Sequence, residues 1–392
     1  MKARKSLALL SVASIALLAA CGSDDDSGDA TSDTAAPDST EAEGGETTDG
    51  EGGAGVCPQK LTIQTDWFPE LEHGGTYQLI GPDGVADKDT VSYSGPVQEQ
   101  YRVGGLEELQ INTVRFDKAN SAILLDGEAD MAYINMSDVI KDSAAVDMVA
   151  IAKTLDKDPQ MIMWDPEQNP IESPEDIAAS GAQVLHFPGV AYIDYMIGQG
   201  YMTEDQSNPS YDGSDAAWVA DGGNFFQQGF ATNEVFKYEN EIEWKDGAPA
   251  PVDFYTVADL GFDNYPAAIT MMRDKAEELS DCLDLLVPVM QQAWVDYLND
   301  PKPITDAMID INVAHDGFWG LSEGLNEAGL ELVESGEFAL NSPDGTYCSF
   351  DEERVQGLYD ILAPIYEEQG TEIADSIDGI FTNEYCADAP GR

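Results

Sequence analysis

Beyond residue 57, the apolar positions of the chain follow two alternating patterns. Short runs of apolar and β-branched residues predict strands, and they occupy residues 60–65, 109–114, 130–134, 146–153, 161–164, 183–187 and 252–258. Stretches with helical periodicity predict helices at 117–127, 190–198, 276–297, 303–313, 322–335 and 352–368. Strands that alternate with helices are typical of an α/β fold with largely parallel sheets.

The segment 77–105 interrupts this alternation. It is rich in Gly, Pro and Asp, so we expect a loop with short elements there. A clearer boundary lies at Ser173 and Pro174, which suit the N-cap and the first position of a helix. The patterned region is too long for one core of usual size, so two domains or two lobes are expected.

The first residues have the pattern of an export signal. Lys2, Arg4 and Lys5 precede an uncharged apolar run that is shorter than a membrane-spanning helix requires. The run ends in Leu-Ala-Ala-Cys21, which resembles a bacterial lipobox. We therefore expect residues 1–20 to be a signal peptide and Cys21 to carry the lipid. The alternative is an ordinary signal peptide with a chance Cys at its end.

Composition and charge distinguish residues 21–56 from the rest of the chain, and the net charge argues against some classes of partner. Residues 21–56 are mostly Gly, Ser, Thr, Ala, Asp and Glu without a basic or aromatic residue, which predicts a flexible linker. The whole chain has 18 Lys+Arg against 75 Asp+Glu, a formal net charge of −57. Nucleic acid and anionic lipid are therefore poor partners. Such a surface also suits a saline habitat, although the charge identifies no ligand.

Four cysteines follow the predicted anchor, namely Cys57, Cys282, Cys348 and Cys386. An exported protein with an even number of cysteines is expected to form disulfides, and two bridges allow three pairings. A metal site is the competing reading. It lacks support because there is no Cys-x-x-Cys and no His lies near a Cys.

Several ordered motifs resemble those of solute-binding lipoproteins of ABC importers. They are Asp66-Trp-Phe-Pro followed by His73-Gly-Gly, the Gly-Glu-Ala-Asp passage at 127–130, Asn-Pro-Ile-Glu-Ser-Pro-Glu-Asp-Ile at 169–177, and the late helix with Ala-Trp-Val-Asp-Tyr at 293–297 and Asp-Pro at 300–301. Within that class the chain looks most similar to the family that binds thiamine pyrimidine precursors and related flat heteroaromatic compounds. The segment 77–105 departs from the family pattern, and we expect it to lie at the edge of the cleft.

The resemblance implies a class II periplasmic-binding-protein-like fold. Each lobe would be a mainly parallel sheet flanked by helices, with the ligand in the cleft between lobes. Lobe one would comprise residues 57–155 and 262–392, and lobe two residues 156–261. The implied partners are a small molecule and the membrane permease of an ABC importer, with the protein outside the cytoplasmic membrane as an anchored monomer.

Candidate ligand-binding residues lie at predicted strand ends, where helix N-termini and ligands meet in open α/β sheets. Trp67 is a candidate stacking face and Asp66 a candidate acceptor, while Tyr192 is a candidate second stacking face. Each has a structural alternative, such as a core aromatic or a capping residue. The remaining candidates are His73, Asn135, Ser137, Pro188, Gly189, Asn233, Glu234 and Tyr265.

Catalytic motifs are absent from the sequence. It contains no Gly-x-Ser-x-Gly, His-Glu-x-x-His or P-loop pattern, and a metal site from Glu70, Glu72 and His73 is not expected because no second His is near. We therefore expect a binding protein without catalytic activity or cofactor. The alternatives are an exported hydrolase on the same scaffold and a ligand-sensing accessory subunit.

Overall fold

The computed structural model describes residues 55–392, which are organised around two β-sheets. The predicted signal peptide, Cys21 and nearly all of the predicted tether lie outside the described residues. Within 55–392, none of the helices combines the length and the apolar character needed to cross a bilayer.

The first sheet has seven strands in the order β2-β3-β4-β1-β5-β12-β6. Its strands β1 and β5 run parallel, whereas β3 and β12 run against their neighbours. Every residue of β5 is buried, as expected for an inner strand covered on both faces, and every residue of the edge strand β6 is buried as well. The bounds are β1 Lys60–Gln64, β2 Val85–Asp87, β3 Ser92–Pro96, β4 Glu108–Asn112, β5 Met131–Ile134, β6 Met148–Ala152 and β12 Ala268–Met272.

The second sheet has five strands in the order β11-β7-β10-β8-β9, and β7 alone runs against the others. All its strands come from the chain between β6 and β12. The bounds are β7 Gln160–Trp164, β8 Val184–Leu185, β9 Ser207–Asn208, β10 Phe226–Phe230 and β11 Asp253–Thr256.

Twelve α-helices flank the sheets in the described residues. They are α1 Gly74–Ile80, α2 Asn120–Leu125, α3 Met136–Asp142, α4 Glu175–Ser180, α5 Ala191–Gln199, α6 Ala216–Asp221, α7 Glu234–Asn240, α8 Arg273–Glu278, α9 Ser280–Asn299, α10 Lys302–His315, α11 Glu323–Ser335 and α12 Glu352–Gln369.

Two segments connect the sheets, one from β6 to β7 and one from β11 to β12. They are tied together by Asn264, whose Nδ2 donates to Asp158 Oδ2 at 2.9 Å. The backbone N–H of Gln160 also donates to Asp158. Burial nevertheless raises the pKa of Asp158 to about 6, because few water molecules remain to solvate its charge.

Two disulfides join distant parts of the chain. Cys57 pairs with Cys282 on α9, and Cys348 pairs with Cys386. This is one of the three pairings that the sequence allowed. Both bridges lie in the core around the first sheet.

The motif residues Gly74 and Gly75 allow α1 to lie directly against α9. A Cβ atom on Gly74 would come within 2.1 Å of the Tyr297 ring, and one on Gly75 within 2.2 Å of the Trp294 ring. Two motifs far apart in sequence therefore meet in the core, and their residue types are explained by close packing.

The structure departs from the sequence predictions in several places, including β9, α6 and α7, which no pattern predicted. Segment 77–105 contains the end of α1 and the β2–β3 hairpin, which extends the edge of the first sheet beside β4. Strand β12 was not predicted, since its short apolar run continues directly into α8. The predicted helix 276–297 is divided at Leu279 into α8 and α9.

Candidate functional site

A cavity of about 190 Å³ lies between the two sheets, beyond the carboxyl ends of β1, β5 and β10. Both connecting segments contribute to its wall. This is where ligands gather in open α/β sheets, because the loops that follow the strands converge there. The lining residues are Asp66, Trp67, Glu70, Glu72, Asn135, Thr154, Leu155, Gln160, Phe187, Val190, Tyr211, Gln228, Gly229, Phe230, Asn233, Glu234, Pro266, Ala267 and Trp319.

Four carboxylates line this main cavity. Asp66, Glu70 and Glu72 come from the loop after β1, and Glu234 begins α7 in the second lobe. Thr232 donates its hydroxyl proton to Glu72, and Asn233 Nδ2 donates to Glu70 Oε2 at 3.2 Å. These contacts leave the second oxygen of Glu72 buried without a hydrogen-bond partner. A buried acceptor of this kind is costly unless a donor is supplied.

Burial changes the proton affinity of three of these carboxyls. The pKa of Glu70 is raised well above its ordinary value of 4.5 by desolvation, and the charges of Glu72, Asp66 and Glu234 raise it further. Desolvation also raises the pKa values of Glu72 and Glu234. For Glu234 this is opposed by the Phe230 N–H, which donates to Oε2 at 2.6 Å. The charge of Lys237 partly opposes the raised pKa values of Glu70 and Glu234, and a cationic ligand would lower them further.

Aromatic rings form much of the remaining wall. Trp67 lies with its ring centroid 6.0 Å from Phe187 and 5.7 Å from Trp319. Phe187 in turn lies 4.9 Å from Tyr211. The tip of Trp67 reaches the second lobe at Gly213, where a Cβ atom would come within 2.5 Å of the ring. Trp67 therefore contacts both sides of the cleft.

His73 lies behind the cavity and does not line it. Its Nδ1–H donates to the carbonyl of Phe68 at 3.0 Å, and its Nε2 is 2.8 Å from Asp66 Oδ1. Nε2 and the Asp66 carboxyl therefore lie within hydrogen-bonding distance of each other. His73 is therefore placed to orient Asp66, rather than to contact a ligand as the sequence suggested.

Asn135 and Ser137 differ in position although both lie at the start of α3. Asn135 lines the cavity, and its Oδ1 accepts the N–H of Ala267 at 3.0 Å. Ser137 is buried outside the cavity, with its N–H donated to Asn264 Oδ1 at 3.1 Å. The second residue thus joins α3 to a connecting segment.

The residues predicted after β8 do not line the cavity, and two of their sequence neighbours do. Pro188 and Gly189 are exposed, and Phe187 and Val190 line the cavity instead. Tyr192 is buried and donates its hydroxyl proton to Gln228 Oε1 at 2.9 Å. It therefore orients a lining residue and offers no stacking face.

The three other predicted residues divide in the same way. Asn233 and Glu234 line the cavity. Tyr265 lies outside it, with the Arg354 guanidinium 3.8 Å from its ring centroid and the Asp351 N–H donated to its hydroxyl.

Several lining residues were missed from the sequence. Glu70 and Glu72 were considered only as metal ligands, although their position in the motif between Asp66 and His73 was an available signal. Tyr211 and Trp319 lie in loops without periodic pattern and carry no such signal. Phe230, the last residue of β10, also lines the cavity.

The lining favours ligands that carry donor groups. It offers four carboxylates and several amide oxygens, and none of its residues is Lys or Arg. Aromatic faces add affinity for flat rings and for cations. The arrangement thus fits a flat solute with amino or cationic groups.

Comparisons with known proteins agree with this fold. A family model described as NMT1/THI5 like matches residues 101–304, slightly more than half of the chain. No curated protein matches the chain.

Solved structures with a similar fold include three solute-binding proteins. The periplasmic aliphatic sulphonate-binding protein SsuA from Escherichia coli is 13% identical, with 84% of this chain and 99% of that chain covered and a TM-score of 0.54. The alkanesulfonate-binding protein SsuA from Xanthomonas axonopodis pv. citri, bound to MOPS, is 11% identical (83% and 98% covered, TM-score 0.53). The periplasmic nitrate-binding protein NrtA from Synechocystis PCC 6803 is 12% identical (83% and 87% covered, TM-score 0.52). The expected two-lobed periplasmic-binding fold is confirmed.

Proposed function

The chain belongs to the NMT1/THI5-like family, and we propose that it is the substrate-binding subunit of an ABC importer. Its ligand is a small, flat heteroaromatic nutrient with amino or cationic groups, of which a thiamine pyrimidine precursor is one example. The protein works outside the cytoplasmic membrane and delivers this solute to a permease.

The observation that carries this proposal is the combination of four carboxylates with aromatic faces in one cleft. An aminopyrimidine presents exocyclic N–H donors, which suit Glu70 and the unpaired oxygen of Glu72. Its flat ring suits stacking on Trp67. A buried carboxylate that gains a hydrogen-bonded cationic partner contributes strongly to affinity and to selectivity.

The same lining disfavours anions. The similar structures from Escherichia coli and Synechocystis are described as binding a sulphonate and nitrate. An anion in the main cavity of this chain would face Asp66, Glu70, Glu72 and Glu234 without a lining cation. Like charges in a desolvated site repel strongly, so a different solute class is favoured here.

Closure of the two lobes would complete the site. Trp67 of the first lobe contacts Phe187 of the second lobe, so these rings would separate when the lobes part. Hinge closure around a ligand is an established mode of conformational change. We expect the protein to become more compact when the ligand binds.

We also propose that Cys21 carries a lipid that holds the protein at the membrane. This rests on the charged start, the apolar run and the Leu-Ala-Ala-Cys21 sequence. Intact mass spectrometry of the membrane fraction is expected to show a chain that begins at Cys21 with a diacylglycerol adduct. A Cys21→Ser variant that remains equally membrane-bound would contradict the anchor.

The main test is to identify the bound solute. Mass spectrometry of the small molecule released from the native protein is expected to show a heteroaromatic amine. Calorimetry with aminopyrimidines, an alkanesulfonate and nitrate should give binding by the first class only. Preferential binding of the two anions would overturn the proposal, and turnover of a bound compound would favour the hydrolase alternative.

A further inference from the structure

A second cavity adjoins the main one on the side of α7. Its volume is about 160 Å³, and it shares Tyr211, Glu234 and Trp319 with the main cavity as a common wall. The other lining residues are Gly213, Ser214, Asp215, Lys237, Tyr238, Ile242 and Phe318. The two cavities therefore lie side by side, and a ligand that extends past these three side chains would occupy both.

Lys237 distinguishes the second cavity from the first. Its ammonium is 3.8 Å from the centroid of the Trp319 ring. Among the hydrogen bonds and ion pairs of residues 55–392, none involves this ammonium, whereas the other lysines and arginines there all have oxygen partners. In a chain with 75 acidic residues, a half-buried lysine without an oxygen partner is conspicuous.

Two other lining residues of the second cavity carry donor groups. The hydroxyl of Tyr238 accepts a hydrogen bond from Gln227 Nε2 at 2.9 Å, so its own proton remains available. The indole N–H of Trp319 is buried and has no acceptor in the structure. Both residues line the second cavity, and a buried donor without an acceptor is costly.

The two acidic residues that line this cavity, Asp215 and Glu234, form no ion pair with Lys237. Asp215 is exposed, where water screens its charge. Glu234 accepts the N–H of Phe230, and it acts on the charge of Lys237 from a distance, without an ion pair between them. The main cavity is therefore rich in acceptors, and the second cavity is rich in donors.

We infer that the ligand spans both cavities and carries an anionic oxygen group, a carboxylate or a phosphate, at the end opposite its amino-bearing ring. The ring lies among the carboxylates, and the anionic group pairs with Lys237. This inference rests on the proposed function and narrows it to ligands with two opposite ends. A charge-assisted hydrogen bond to a partly desolvated ammonium strengthens binding.

The test compares two matched probes, the hydroxymethyl-aminopyrimidine half of thiamine and its phosphate monoester. Calorimetry is run on the wild-type protein and on Lys237→Met, which removes the charge and keeps the length of the side chain. Lys275→Met is the control, because Lys275 is a half-buried lysine on α8 that pairs only with Glu278 and lies outside the second cavity. Thermal midpoints verify that all three proteins are folded.

We expect the phosphate ester to bind the wild type at least about tenfold more tightly than the alcohol. This ratio should fall towards one in Lys237→Met and stay unchanged in Lys275→Met. Equal binding of both probes to the wild type would overturn the inference and leave the proposed function intact. A ratio that survives in Lys237→Met would also overturn it, and binding of neither probe would count against both proposals.

Discussion

Acidic residues behave in opposite ways in the cleft and on the surface. At the surface, Asp117 and Glu128 pair with Arg115 and Lys118 at 2.6–2.8 Å, and these partners lower the pKa of both carboxyls. In the cleft, Glu70 is desolvated among other carboxyls, and its pKa is raised. All three residues are carboxylic acids, and the opposite pKa shifts come from the loss of water around Glu70 and from the basic partners of Asp117 and Glu128.

This contrast indicates what the buried carboxyls are for. Surface pairs are screened by solvent and contribute little to stability. A buried acid without a cation destabilises the unliganded fold, and it has value only when a ligand supplies the missing charge or donor. On the proposed function, these buried acids lower the stability of the unliganded protein and increase its affinity for the ligand.

Removing two buried acids should have the largest effect. Glu70→Gln with Glu72→Gln keeps the shape of the site and removes both charges. We expect affinity for an aminopyrimidine ligand to fall about a hundredfold, or about 3 kcal/mol, as measured by calorimetry. Unchanged affinity would show that these residues do not contact the ligand.

The pH dependence of binding should follow the raised pKa of Glu70. Because its carboxyl is protonated at low pH, affinity for a permanently charged heteroaromatic cation should increase as pH rises from about 4.5 through the folded-state pKa. The slope should approach, at most, about tenfold per pH unit for one released proton. Calorimetry in buffers of different ionisation enthalpy should detect that proton, and a flat profile would contradict the assignment.

Glu70→Gln alone should stabilise the unliganded protein. A raised folded-state pKa favours the folded state below pH 4.5 and loses this contribution as pH increases towards the raised value. At pH 7 to 8 the variant should gain roughly 1–3 kcal/mol, measured by urea denaturation. The gain should disappear near pH 4, and a loss of stability at neutral pH would contradict the argument.

The surface cluster should show the smallest effect. Glu128→Gln removes one partner of Arg115 and Lys118, both at the surface. We expect the thermal midpoint to change by no more than about one degree. Any change should vanish at about 0.5 M salt, where the screening length is only a few ångströms.

The sequence predicted the parts of the fold that have a regular pattern. The strands at 60–65 and 130–134 are confirmed nearly to the residue as β1 and β5, because alternation or continuous apolar character identifies a half-buried or a central strand. The family resemblance is also confirmed in its broad form. Strand β12 was not predicted because a five-residue apolar run beside a helix is compatible with both the strand and the helix periodicity.

The sequence could predict the residues of the candidate site only where they directly follow a predictable strand. Asp66, Trp67 and Asn135 line the cavity, as expected for residues that come just after parallel strands. The direction of a side chain does not follow from such a position, so His73, Ser137 and Tyr192 were placed in the cleft although they support it from behind. Trp319 reaches the cavity through the packing of helices distant in sequence, which no local pattern reports.

The bridge between Cys57 and Cys282 also decides how force enters the molecule. Any pull on the chain ahead of Cys57 passes through a covalent bond into α9, which lies in the core against α1. Strand β1 begins just after Cys57 and would otherwise be the first element to peel from its sheet. With the bridge closed, the site loop that follows β1 is mechanically isolated from the N-terminal side of the chain.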